Sequence, residues 1–260
     1  TLHLRAFTSS ADGDGPTTAR IVSLNVTSLD ANMSVIHQLH HHYGANILAL
    51  QETRHSGRSQ PTLQRAMAAA DYGSFRTVFG QPPRDLWVTR KARAGGTDHP
   101  VRAYASQQGG VCLAAQGAIV DSTIDDAHVE GLLKTQRWIE CCIPIPHPTT
   151  RSQRPDPPTA IYCASVYGKS NADNTGLFRS VWEAAHRVGD QAPYFICMDA
   201  QVDIDNSNFL LDMLQRGWHN VAQGFPGEKA CTFGQAIGWD RRSPGPNCTR
   251  IDYEIGRAHV

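Results

Sequence analysis

Two short apolar runs near the start of the chain flank a segment with helical spacing, and this order restricts the fold more than any other feature. Arg20–Val26 is rich in β-branched residues and predicts a strand, and Ile47–Leu50 is a continuous apolar run typical of a strand buried on both faces. Between them, Asp30 can cap a helix that Gly44 ends. Apolar residues recur there at helical intervals: Met33, Ile36, Leu39 and Tyr43. A strand–helix–strand order predicts that both strands lie in one sheet and end at the same edge.

The rest of the chain continues this alternation and predicts a single α/β domain. Strands are expected between Phe75 and Ile145, with Gly109–Leu113 the clearest, and at Ala160–Tyr167 and Tyr194–Met198; helices are expected from Pro61, from Asn174 and around Leu210–Leu214. No internal repeat and no change of composition divides the chain. We therefore expect one domain over residues 20–254, after a flexible lead-in over residues 1–19.

Charge and composition exclude two classes of protein. The 24 Lys and Arg balance the 24 Asp and Glu, whereas domains that coat nucleic acid without specificity are usually basic. No apolar run exceeds five residues, and a membrane-spanning helix needs about 20. The seven cysteines include no CxxC pair and mostly lie among apolar residues, which is typical of reduced, buried thiols. We therefore expect an intracellular protein that has no contact with membranes.

Three familiar site motifs are incomplete in this sequence. Gly168-Lys169-Ser170 lacks the upstream glycine of a phosphate-binding loop, since Cys163 stands in its place. His37 and His41 have the spacing of a zinc pair, but no third ligand is evident and a solvated helix face explains them better. No G-x-S-x-G sequence is present, so serine hydrolase chemistry has no support.

Polar residues stand repeatedly where the predicted strands end. They are Asn25, Glu52, Tyr167, Asp199 and Asp252. Open α/β sheets place ligands at this edge, so a layered fold can bring these side chains into one cleft. Carboxylates that converge in a cleft repel one another unless a cation lies between them. Oxygen ligands with little nitrogen or sulfur suit Mg²⁺ or Mn²⁺, which are the cofactors we expect.

These residues also lie in motifs that resemble the endonuclease/exonuclease/phosphatase superfamily. Ser23–Val26 and Leu50–Thr53 are similar to its opening motifs, and the Leu-Gln-Glu-Thr form is closest in style to non-LTR retrotransposon endonucleases and AP endonucleases. Further segments resemble later motifs in the same order: Gly109–Val111, Ser165–Tyr167, Met198–Gln201, Thr232–Phe233 and Arg250–Tyr253. The resemblance spans nearly the whole chain, from Arg20 to Tyr253.

The resemblance implies a fold, an activity and a role for each strand-end residue. The fold is a four-layer αββα sandwich, with two mixed β-sheets face to face and helices outside, and the activity is metal-dependent phosphate-ester hydrolysis. Glu52 is implied as the main metal ligand, with Asn25 beside it. Tyr167 is implied to contact the scissile phosphate, and Asp199 to orient or deprotonate the attacking water. Asp252 is implied to hold a catalytic histidine in its working tautomer.

The chain departs from the family's motifs at three places. Gln201 stands where the family has Asn, which moves the amide by one methylene, and Thr27 stands where some members have an acidic ligand. The family's closing Ser-Asp-His strand has no counterpart, because His259 follows Asp252 by only seven residues. Residues 255–260 resemble the translation of a sequencing adapter. We therefore expect a chain that lacks its last strand or strands, has a non-native tail and cleaves poorly.

A basic segment and the retroelement-like motifs together favour DNA as the substrate. The candidate nucleic-acid contacts are Arg84, Arg90, Lys91, Arg93 and Arg102, in a Gly-containing loop with Trp87 and Tyr104 nearby. A solvated surface loop is an equal alternative for this segment. We expect a DNA endonuclease, a monomeric domain of a longer polyprotein. Two alternatives stay open: a phosphatase of inositol phosphates or small phosphodiesterase of the same superfamily, and a catalytically silent binding module.

Overall fold

The structure is a computed structural model, and it describes most of the chain as short strands and helices. The described residues are 2–5, 20–80, 85–90, 99–104, 109–121, 127–144, 160–169, 172–188, 192–202, 206–220, 233–234, 248–249 and 252–257. The strands are β1 Leu2–Arg5, β2 Arg20–Asn25, β3 Ile47–Gln51, β4 Ser74–Val78, β5 Asp85–Arg90, β6 His99–Tyr104, β7 Val111–Ala115, β8 Val120–Asp121, β9 Trp138–Pro144, β10 Ala160–Tyr167, β11 Tyr194–Asp199, β12 His219–Asn220, β13 Phe233–Gly234, β14 Cys248–Thr249 and β15 Asp252–Arg257. The helices are α1 Ser34–Tyr43, α2 Gln60–Ala69, α3 Ala127–Lys134, α4 Thr175–Val188 and α5 Asn208–Gln215.

The strands form two large mixed sheets. The first has the order β1-β2-β3-β7-β4, and the second has the order β12-β15-β11-β10-β9-β8. In the first sheet β2 and β3 are parallel, and in the second β10 and β11 are parallel. Each parallel pair therefore ends at a common edge, as the strand–helix–strand order predicted. Two further pairs, β5–β6 and β13–β14, are antiparallel hairpin-like ribbons.

Side chains alternate along the central strands between two apolar layers. In β3, Leu48 and Leu50 pack against α1 and α2, whereas Ile47 and Ala49 face the second sheet. In β11, Ile196 and Met198 pack in the cluster that α3, α4 and α5 cover. The order of layers is thus helices, sheet, sheet, helices, and the expected αββα sandwich is confirmed. No helix among the described residues is long and apolar enough to span a membrane.

One buried amide ties the two sheets together beside the edge where the parallel strands end. The Gln51 side chain is 1% exposed. Its Nε2 donates to Ser165 Oγ at 3.1 Å and to the Cys197 carbonyl at 3.3 Å, both in the second sheet. Ser165 Oγ in turn donates to the Leu50 carbonyl at 3.0 Å. Since most of this layer is apolar, these bonds help set how the two sheet edges meet.

One helix and one strand begin at residues other than those expected, for physical reasons. Asp30 does not cap α1, whose N-cap is Met33, because the Asp30 carboxylate contacts His55 Nδ1 at 3.1 Å instead. Gly109 and Gly110 do not belong to a strand, because their φ angles of 76° and 86° bend the chain before β7 begins. Glycine is favoured there because side chains disfavour that conformation.

Two strands cross the expected domain boundaries. β1 pairs with β2 along its whole length, so Leu2–Arg5 is not part of an unstructured lead-in. β15 pairs with β11 and β12 as far as Arg257, beyond the expected boundary at residue 254. The outer limits of the domain otherwise stay a prediction.

Gly110 offers a direct test of the packing around the first sheet's edge. A Cβ at this position would lie 2.6 Å from Thr53 Oγ1 and 3.0 Å from the Gly80 backbone nitrogen. We expect Gly110→Ala to lower the free energy of unfolding by about 1–3 kcal/mol, measured by urea denaturation. Gly117→Ala is the matched control, because nothing lies within 4 Å of its added Cβ. Equal stability of the two variants would contradict the assigned backbone.

Candidate active site

Four of the five strand-end residues come together where the two sheets meet. Asn25 ends β2 and Glu52 follows β3, so both lie at one edge of the first sheet. Tyr167 and Asp199 end β10 and β11, and the register of these strands pairs them directly. A hydrogen bond from Asn25 Nδ2 to Asp199 Oδ2 at 2.5 Å joins the two edges. The structure thus brings these four side chains to one edge, while their roles stay a prediction.

Asp199 is held by amide donors on both carboxylate oxygens. Its side chain is fully buried. Gln201 Nε2 donates to Oδ1 at 2.7 Å and to Oδ2 at 2.6 Å, and Asn25 adds its bond to Oδ2. The longer Gln201 side chain thus reaches the carboxylate despite the extra methylene, helped by a left-handed backbone with φ of 56°. Its amide orients Asp199 without neutralising it, because an amide donates hydrogen bonds and carries no charge.

Thr27 fixes the orientation of the Asn25 amide. The Thr27 backbone N–H donates to Asn25 Oδ1 at 2.9 Å, and its hydroxyl donates to the same oxygen at 3.3 Å. The amide nitrogen therefore faces Asp199, and the oxygen faces the turn after β2. Sequence reasoning treated Thr27 only as a missing acidic ligand. Its left-handed φ of 55° brings its N–H back to Asn25, and the sequence carries no clear signal of this conformation.

Glu52 is paired with a cation two residues further along the chain. Arg54 donates to Glu52 Oε1 through Nε at 3.1 Å and through Nη2 as well. The side chains are 14% exposed for Glu52 and 30% for Arg54, so the pair is largely shielded from solvent. Sequence reasoning missed Arg54. The sequence shows a basic residue two positions after the candidate metal ligand. It does not show the turn that brings the two side chains together.

Tyr167 is a neutral hydrogen-bond donor at physiological pH. The pKa of its phenol is raised to about 12, mainly by burial and also by the negative charges of Glu52 and Asp199. The charges of Arg54 and Arg137 oppose that rise. Because both carboxylates act on this pKa, the hydroxyl lies within the electrostatic range of both halves of the site. A neutral phenol can donate to a phosphate oxygen, as the implied role requires.

For the remaining predicted residues, the structure gives only a backbone position, or the residue lies outside the described residues. Asp252 begins β15 opposite Asp199 in the antiparallel register, which puts it at the same edge. Arg90 and Arg102 lie on β5 and β6, opposite His99 and Trp87 respectively, so the expected loop is in part a two-stranded ribbon. The predicted contacts Arg84, Lys91 and Arg93 lie outside the described residues.

The oxygen donors of this edge suit a small divalent cation. Glu52 offers a carboxylate, and Asn25 lies beside it with an amide oxygen that accepts both Thr27 bonds. Mg²⁺ commonly takes one or two carboxylates and completes its shell with water and substrate phosphate. Within the described residues, no three His, Cys, Asp or Glu side chains gather to hold a metal. The donor set therefore fits Mg²⁺ or Mn²⁺ held largely by water, and the metal stays a prediction.

Solved structures with this fold are similar to the chain over nearly its whole length. An AP endonuclease from Archaeoglobus fulgidus superposes with a TM-score of 0.56 at 15% identity, over 92% of this chain and 86% of the other. An endonuclease/exonuclease/phosphatase family protein from Leptotrichia buccalis gives 0.54 at 10% identity, over 93% and 89%. The endonuclease domain of TRAS1, a telomere-specific non-LTR retrotransposon, gives 0.50 at 12% identity, over 92% and 85%.

These similarities establish the fold. The chain has the αββα fold of the endonuclease/exonuclease/phosphatase structures, as its ordered motifs indicated. No protein-family model matches the sequence, and no curated protein matches it either.

Alkaline titration tests the environment of Tyr167. Because its folded-state pKa of about 12 exceeds the usual value of 10, the neutral phenol stabilises the fold below pH 10, and this stability is lost as pH rises towards 12. We expect Tyr167→Phe to show a shallower loss of unfolding free energy between pH 10 and 12 than the unmodified protein. Urea denaturation at a series of pH values measures it. Parallel curves for the two proteins would show that Tyr167 titrates normally.

Proposed function

We propose that this protein is a divalent-metal-dependent phosphodiester hydrolase of the endonuclease/exonuclease/phosphatase superfamily, acting as a DNA endonuclease domain from a retroelement-like polyprotein. The observation that carries the proposal is the bond from Asn25 to Asp199 across the two sheets. It brings a carboxylate oriented by amides, a neutral phenol and the Glu52 carboxylate to one edge. The fold and the order of the motifs support a phosphodiester hydrolase. The DNA substrate and the retroelement origin are part of the proposal itself.

Each residue has one task in this mechanism. Glu52 would hold the cation, which would neutralise charge on the phosphoryl oxygens, and Asn25 beside it would hold phosphate or metal-bound water. The Tyr167 hydroxyl donates a hydrogen bond to a phosphate oxygen. Asp199 would orient the attacking water or take its proton, as the resemblance implies. Asp252 lies beside Asp199 on the backbone and would orient a histidine, as the resemblance implies.

Two further features support an intracellular protein that binds nucleic acid. Arg90 and Arg102 lie in the β5–β6 ribbon, and basic side chains bind phosphates through their charge. Four cysteines are free thiols, which suits a reducing compartment: Cys112, Cys141, Cys142 and Cys163. We propose a monomeric domain within a longer polypeptide.

A nicking assay on supercoiled plasmid tests this function with a matched pair of variants. Glu52→Gln removes the proposed metal ligand, and Glu130→Gln removes the same charge from an exposed pair with Lys134 on α3. We expect slow nicking that needs Mg²⁺ or Mn²⁺ and that Glu52→Gln lowers by about 100-fold or more. Glu130→Gln should nick at the unmodified rate. Nicking that survives EDTA, or that both variants retain, would contradict the proposal.

The same preparations separate the alternative functions. Phosphate release from inositol phosphates without plasmid nicking would identify the phosphatase alternative. DNA binding that is unaffected by EDTA and accompanied by no hydrolysis would identify a silent binding module. Fluorescence anisotropy with a labelled duplex measures that binding.

A further inference from the structure

The Arg54 guanidinium places a positive charge directly against Glu52, the proposed metal ligand. Both guanidinium donors, Nε and Nη2, bind the same carboxylate oxygen of Glu52. Two charged N–H donors on one carboxylate oxygen hold it more firmly than a single neutral donor does. The pair is also mostly shielded from solvent, so water screens it less than a surface pair.

The backbone that carries the pair is fixed, so only the side chains are free to rearrange. Thr53 N–H donates to the Gly110 carbonyl at 3.1 Å, and Arg54 N–H donates to the Gly109 carbonyl at 2.9 Å. The Thr53 carbonyl accepts from Leu29 N–H at 2.8 Å. Glu52 and Arg54 both have left-handed φ angles, 52° and 47°. Any change at this pair is therefore a movement of the Glu52 or Arg54 side chain.

A divalent cation and a guanidinium repel each other and compete for the same carboxylate. We propose that Arg54 is an intramolecular competitor for the metal, which holds Glu52 in the metal-free protein and turns to the anionic substrate when the metal binds. The positive charge of Arg54 also acts on Tyr167, the proposed phosphate contact, so the guanidinium lies within electrostatic range of that hydroxyl. This inference rests on the proposed function.

The competition couples metal binding to substrate binding. The metal releases Arg54 from Glu52, and a released guanidinium is a strong ligand for phosphate oxygens. The metal should therefore raise the affinity for substrate, and substrate should raise the affinity for the metal by the same factor. Removing the guanidinium should tighten metal binding and weaken this coupling. A residue that only stabilised the loop would affect neither quantity in this way.

Isothermal titration with Mn²⁺ tests the competition with a matched control. Arg54→Gln removes the competing cation, and Arg58→Gln removes the same charge from an exposed position on the same loop. We expect Arg54→Gln to bind Mn²⁺ about three- to tenfold more tightly than the unmodified protein. Arg58→Gln should stay within about twofold. Unchanged affinity in Arg54→Gln, or equal tightening in both variants, would overturn the inference.

Anisotropy of a labelled duplex with phosphorothioate linkages tests the coupling. Mn²⁺ should raise the duplex affinity of the unmodified protein and of Arg58→Gln by the same factor, and raise that of Arg54→Gln by a smaller one. An equal effect of Mn²⁺ on all three proteins would overturn the coupling.

The two proposals fail in distinguishable ways. Mn²⁺ binding to the unmodified protein that Glu52→Gln abolishes, with Arg54→Gln no tighter, would overturn the competition and leave the metal site standing. Absence of Mn²⁺ binding from the unmodified protein and from Arg54→Gln alike would overturn both. Binding that appears only in Arg54→Gln would support the competition in its strongest form.

Discussion

Polar contacts across the two sheets hold the candidate site together. The inter-sheet layer is apolar over most of its area, and apolar contacts alone do not specify how far one sheet slides over the other. Gln51 and the Asn25–Asp199 bond supply that specification, because hydrogen bonds require defined distances and directions. Both lie at the edge where the parallel strands end. The position of Glu52 relative to Asp199 therefore depends on a few buried amides.

Apolar periodicity predicted several strands and helices of this scaffold, and the family resemblance implied its four layers. The strands at Ile47 and Tyr194 are buried on both faces because each separates a helical layer from the other sheet, and continuous apolar runs report that burial directly. Helix starts and turns were less predictable. Asp30 is a good capping residue by type, yet tertiary contact with His55 takes its carboxylate elsewhere. A sequence shows the preference of a residue, whereas competing partners become visible only in three dimensions.

The same limit applies to the site. The strand-end positions of Asn25, Tyr167 and Asp199 follow from strand order, so the sequence predicted their common edge. What the side chains do there depends on turns that the sequence does not reveal. The Gln201 amide reaches Asp199, and Arg54 reaches back to Glu52, because their backbones are left-handed. The extra methylene of Gln201 did not predict its contact with Asp199. The presence of Arg54 near Glu52 did not predict their pairing either.

Left-handed backbone at residues with side chains is concentrated around this edge. Among the described residues, six residues other than glycine have positive φ: Thr27, Glu52, Arg54, Asp71, Gln136 and Gln201. All but Asp71 lie in the site or, like Gln136, bond to the turn beside it. Such conformations cost about 1–3 kcal/mol each and persist where surrounding contacts enforce them. Their concentration at one edge costs stability, and it orients the carboxylates, amides and guanidinium that lie there.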